Sequence, residues 1–122
     1  MRILVVDDEA EILSIVSTFL GSHGYDVVTA NNGDEALDVV GADTTIRAVL
    51  LDVVMPGHNG IETLREMMQF DPRPQVIMMT ASADDKVFEA VRLGAVDYVL
   101  KPIDFDALIA TLSASLQRSS AS

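Results

Sequence analysis

Cysteine is absent from this 122-residue chain, so neither a disulfide nor a thiolate metal site can form. Basic residues are scarce: eight lysines and arginines face nineteen aspartates and glutamates, a net charge of −11. Such a chain repels phosphate backbones, which argues against direct binding of nucleic acid. Long apolar runs are missing as well. The stretch Ile3–Val6 is followed at once by Asp7, Asp8, Glu9 and Glu11, too early for a secretory signal. Nothing approaches the roughly 18 apolar residues of a membrane span. These absences lead to the expectation of a soluble, cytoplasmic protein without membrane attachment. What is present is enough hydrophobic material, 49% of residues, for one core.

Short apolar runs alternate with amphipathic stretches. "RILVV" (2–6) reads as a buried strand, and Ile12, Leu13, Val16, Phe19 and Leu20 then recur at helical spacing. His23-Gly24 supplies the stop signal. "YDVVTA" (25–30), "IRAVLLDV" (46–53), "QVIMM" (75–79) and "DYVL" (97–100) read as further strands. Between and after them come helical patterns over "NNGDEALDVV", over Ile61, Leu64, Met67 and Met68, over 84–94, and over Phe105, Leu108, Ile109, Leu112 and Leu116. "DPRP" (71–74) ends the third of the five helices. Strands that alternate with helices predict a doubly wound α/β domain: a five-stranded parallel sheet with five flanking helices. Residues 1–118 would form one domain, and 119–122 a disordered tail or the start of a linker.

In such a sheet the ligand crevice lies beyond the carboxyl ends of the strands. The first strand ends in Asp7 and Asp8, the third at Asp52, the fourth at Thr80-Ala81 and the fifth at Lys101-Pro102. Asp52 is the conspicuous one, because "AVLLD" otherwise reads as strand interior. A carboxylate there is costly unless it is paired, bound to a metal or at the strand's open end. Clustered carboxylates repel one another, and a hard divalent cation relieves that; oxygen ligands of this kind suit Mg²⁺. A carboxylate, a cation site, a hydroxyl and a lysine together are the parts of a phosphoryl-transfer site. Each residue also has a plainer role: Asp8 with Glu11 has capping-box spacing, Thr80 could be a strand residue, Lys101 a solvated lysine, and Gly57 and Gly60 turn residues. Tyr98 and the Met78-Met79 pair read as core, and neither His23 nor His58 has a second ligand nearby in sequence.

The segments "ILVVDDE" (3–9), "LLDVVMPGHNG" (50–60), "VIMMTA" (76–81) and "GAVDYVLKPID" (94–104), in this order and at these separations, resemble the receiver domain of bacterial two-component response regulators. The likeness covers residues 2 to about 118. It implies the flavodoxin-like strand order 2-1-3-4-5. It also implies that Asp52 accepts a phosphoryl group from a histidine kinase or a histidine phosphotransfer protein. Asp7, Asp8, Asp52 and the backbone carbonyl of Val54 would hold Mg²⁺, or Mn²⁺ in its place. Thr80 and Lys101 would hold the phosphoryl oxygens, small Ala81 would leave access to them, and the bond before Pro102 would be cis. Thr80 and Tyr98 would act as the switch pair, altering the surface of the fourth helix, fifth strand and fifth helix for a downstream effector domain or protein. The chain would be a switch, not a turnover enzyme, and a monomer or a phosphorylation-dependent dimer.

Some positions depart from the common receiver pattern: His58-Asn59 in the loop, Ile103 after Lys101-Pro102, and Val96, which weakens the case for a dimer through the output face. Val54 lacks the polar group that often orients an attacking water two residues after the acceptor, which implies slow loss of the phosphoryl group. A haloacid-dehalogenase-like phosphatase would need an acid at position 54, and a flavin carrier would need a neutral phosphate cradle where "DDEAE" stands.

Overall fold

Residues 1–55 and 58–121 are described by a computed structural model. The strands are β1 (Arg2–Val6), β2 (Asp26–Ala30), β3 (Ile46–Asp52), β4 (Val54–Met55), β5 (His58–Asn59), β6 (Gln75–Thr80) and β7 (Asp97–Leu100). The helices are α1 (Ala10–Ser22), α2 (Gly33–Ala42), α3 (Gly60–Met67), α4 (Asp85–Leu93) and α5 (Phe105–Ala121). Five strands form one parallel sheet in the order β2-β1-β3-β6-β7, which is 2-1-3-4-5 when only its own strands are counted.

The near-continuous apolar strands follow from a sheet covered on both faces. Side chains alternate between the faces with period two. Leu4, Val6, Val49, Leu51, Val76 and Met78 face one core with Ala36 and Val40 of α2, Ile61, Leu64 and Met67 of α3, and Val87 and Ala90 of α4. Ile3, Val5, Ala48, Leu50, Ile77 and Met79 face the other, with Val16 and Leu20 of α1 and Leu108, Leu112 and Leu116 of α5. Helix ends obey local chemistry. Asn32, Asn59 and Asp84 each accept a backbone N–H at the start of α2, α3 and α4. Gly24 (φ 89°) and Gly94 (φ 127°) take the left-handed turn after α1 and α4.

Two features differ from the sequence expectation. The "MPGHNG" segment is not a plain loop, because Val54 and Met55 pair antiparallel with Asn59 and His58; Pro56 and the expected turn residue Gly57 lie outside the described residues. α5 continues to Ala121, where a tail was expected from 119 on, and Ser122 lies outside the described residues.

Gly60 is more than a turn residue. A Cβ there would run into the carbonyl oxygen of Asp52 and lie 2.8 Å from that of Val53. The Gly60 N–H also donates to Val53 O at 3.0 Å. Gly60→Ala is therefore expected to lower stability by about 2–3 kcal/mol, since backbone rather than a flexible side chain must yield. A urea unfolding midpoint equal to that of wild type would contradict this close approach.

Candidate functional site

The chain leaves β1 toward β2 on one side and returns past it to β3, so the connections from β1 and β3 diverge at their carboxyl ends. That divergence opens a crevice, and the acids stand in it. Asp7 continues β1, its N–H donating to Ala30 O at 3.2 Å, and its side chain is fully buried. Asp52 is the last residue of β3, and the next N–H, of Val53, still donates to Met79 O at 3.0 Å. Thr80 ends β6, and the Lys101 N–H donates to Thr80 O at 2.7 Å, which levels the end of β7 with it. The register thus brings residues 94 positions apart into one group.

Lys101 Nζ donates to Asp7 Oδ2 at 2.8 Å and to Asp52 Oδ2 at 3.2 Å. The other oxygen of Asp7 accepts the Glu9 N–H at 2.9 Å, and the other oxygen of Asp52 accepts the Val54 N–H at 3.3 Å. Burial and the neighbouring Asp7 charge push the Asp52 carboxyl up to about 6, although Lys101 and the Val54 N–H pull against them. Burial works against the charge of Lys101 too, yet its bonds and charge interactions with Asp7 and Asp52 prevail and raise its pKa.

Asp8 is exposed and does not cap α1: the N-cap is Glu9, without a side-chain bond, and Asp7 takes the Glu9 N–H instead. The capping role considered for Asp8 therefore falls away. One oxygen from each of Asp7, Asp8 and Asp52 lies within 4.8 Å of the others. Three carboxylates so close, with a single lysine between two of them, form a donor set that fits a hard divalent cation.

Thr80 is buried, but its hydroxyl turns to its own loop. It donates to Ser82 O at 2.8 Å and accepts the Ser82 N–H at 3.3 Å. Ala81 is exposed on the crevice wall, and the crevice, of about 260 Å³, also holds Asp52, Val54, Thr80 and Lys101. Tyr98 is half-buried against the α2–α3–α4 core. The Lys101–Pro102 bond is cis. Sequence reasoning missed Gly60, which buttresses the Asp52 carbonyl; its one signal was a glycine directly after the capping Asn59.

Residues 3–113 match the response regulator receiver domain family. The chain belongs to that family: it is the receiver domain of a two-component response regulator. It is 45% identical over 115 residues to the transcriptional regulatory protein ZraR of Klebsiella oxytoca, covering 93% of this chain and 26% of that protein. It is 42% identical over 120 residues to the transcriptional regulatory protein CpxR of Escherichia coli, covering 97% of this chain and 50% of that protein. The chain thus spans a quarter to a half of these relatives. Its fold superposes on the Vibrio cholerae chemotaxis protein CheY4 with a TM-score of 0.85 at 30% identity, covering 93% of this chain and 97% of the other. Among the described residues no helix is long and apolar enough to cross a membrane.

Proposed function

We propose that the chain is a phosphorylation switch whose acceptor is Asp52. The observation that carries this reading is the grouping of Asp52 with Asp7, Asp8 and Lys101 at the sheet's open end. A carboxylate oxygen of Asp52 attacks phosphorus and forms the new O–P bond. The P–N bond to the donor histidine breaks, and the imidazole leaves with the electron pair. The donor is a histidine kinase or a histidine phosphotransfer protein. Lys101, already 3.2 Å from Asp52, is placed to neutralise the phosphoryl oxygens.

Asp7, Asp8 and Asp52, with the Val54 carbonyl, would hold Mg²⁺ or Mn²⁺, which supplies charge neutralisation at the transferring oxygens. Millimolar Mg²⁺ is then expected to stabilise wild type by about 1–3 kcal/mol, because only the folded chain assembles the donor set. Asp8→Asn should lose most of that gain in thermal melts. An equal gain in both proteins would contradict the metal site.

Phosphorylation adds nearly two negative charges beside Thr80 and Lys101. It shifts the equilibrium only by contacts that differ between states. The Thr80 hydroxyl, now on Ser82 O, is the contact free to exchange toward the phosphoryl group. Tyr98 then repacks and alters the surface of α4, β7 and α5, where Phe88, Val91 and Leu100 are already exposed to an effector.

The test is intact mass after incubation with acetyl phosphate and Mg²⁺. One added phosphoryl group that needs the metal is expected. No adduct on the folded chain would contradict the switch, and steady phosphate release without an adduct would favour a phosphatase.

A further inference from the structure

The crevice around Asp52 has a second lysine that the switch leaves unused. Lys86 lines it together with Glu9, Thr80, Asp84 and Lys101. Lys101 is committed to two carboxylates, Asp7 and Asp52. Lys86 is exposed and, among the described residues, makes no ion pair. It stands second in α4, where the positive end of the helix dipole disfavours a cation, so its place is not explained by helix stability. Its backbone is fixed. The Lys86 N–H donates to Asp84 Oδ1 at 3.0 Å, the Ser82 hydroxyl to Asp84 Oδ2 at 3.3 Å, and the Thr80 hydroxyl to Ser82 O at 2.8 Å. This run of bonds ties the root of Lys86 to the crevice wall.

A donor that carries a phosphate approaches a chain of charge −11 against its field. We infer that Lys86 is a specificity-determining residue that draws the anionic phosphate of a small acyl phosphate into the crevice before transfer. The inference rests on Asp52 as acceptor. In the transfer an Asp52 oxygen forms the new O–P bond, the acyl O–P bond breaks, and the carboxylate leaves with its electron pair. Lys86 makes or breaks no bond, so it governs donor capture and not the maximal rate.

The test compares wild type, Lys86→Gln and Lys86→Arg, with matched thermal midpoints, in acetyl phosphate at saturating Mg²⁺. Loading is followed by intact mass against donor concentration. Lys86→Gln is expected to raise the half-saturating concentration about three- to tenfold, with unchanged maximal rate and stoichiometry. Lys86→Arg should stay within about twofold of wild type, because it keeps the charge. The deficit should shrink as ionic strength rises from about 0.05 to about 0.5 M. Wild-type loading by Lys86→Gln at every concentration overturns the inference, as does a lower maximal rate at unchanged half-saturation. If wild type itself takes no phosphoryl group, the acceptor reading fails and this inference with it.

Discussion

Lys101→Met is expected to destabilise the metal-free protein by about 3–5 kcal/mol at neutral pH. The methionine keeps the apolar stem of the lysine, so little packing is lost and the effect isolates the charge. Asp7 is fully buried and the Asp52 side chain is 7% exposed, so neither can turn to water when the ammonium goes. Two unit charges about 4 Å apart repel by about 4 kcal/mol at an effective dielectric of about 20. The deficit should narrow toward pH 5. Without Lys101 the folded-state pKa of Asp52 moves further above about 6, and protonation then removes one of the two charges. Added Mg²⁺ should restore part of the loss. Urea unfolding at pH 7.5 and 5.0 reads both effects. Equal midpoints for variant and wild type at pH 7.5 would show that Lys101 does not hold the two carboxylates together.

Asp52→Asn should act in the opposite direction on stability while it abolishes phosphoryl uptake. Burial and Asp7 raise the Asp52 carboxyl from 3.8 to about 6 in the folded state. The sign follows from linkage. A raised folded-state pKa contributes stability that is fully present below pH 3.8 and is lost as pH rises through about 6. Ionised Asp52 therefore costs the native state up to about 3 kcal/mol at neutral pH, from about 1.4 kcal/mol per unit. That cost is already net of the Lys101 ion pair, and an amide that meets the Lys101 ammonium and the Val54 N–H less well than a carboxyl reduces the expected gain to about 1–2 kcal/mol. In the presence of a chelator, the variant should be more stable than wild type at pH 7.5 and nearly equal to it at pH 4.5. A variant that is less stable at pH 7.5, or an advantage that does not change with pH, would contradict the strained carboxylate.

The strands were legible because both faces of this sheet are buried, so β1, β3 and β6 appear in the sequence as almost unbroken apolar runs, whereas their order was implied only by the family resemblance. The acids at their ends stood out against those runs. Asp52 after "AVLL" had no reason to be there as strand interior, and the structure places it at the strand's end in the crevice. Contacts set by distance in space were not legible. Nothing in "HNGI" announces that a Cβ at Gly60 would strike the Asp52 carbonyl, since that collision depends on how α3 leaves the β4–β5 hairpin.

The Thr80 hydroxyl, expected to move to the phosphoryl oxygens on phosphorylation, donates to Ser82 O at 2.8 Å in this structure, a contact that no sequence pattern announces. At the other end of the sheet, Arg2 pairs with Asp26 and Asp43 at 2.7 Å each. The Thr45 hydrogen bond and Arg2 hold the Asp43 carboxyl down at about 2. Partners 24 and 41 positions away leave no local pattern to read.

The central claim is that one carboxylate of three, Asp52, receives the phosphoryl group. Borohydride reduces an acyl phosphate to an alcohol and so converts the phosphorylated aspartate to homoserine. Tandem mass spectrometry of peptides from the protein treated with acetyl phosphate and Mg²⁺, then reduced, locates that residue. Homoserine at position 52, with intact aspartate at 7 and 8, is the result this account predicts. Homoserine at 7 or 8, or at none of the three in a protein shown to carry the phosphoryl group, would contradict it.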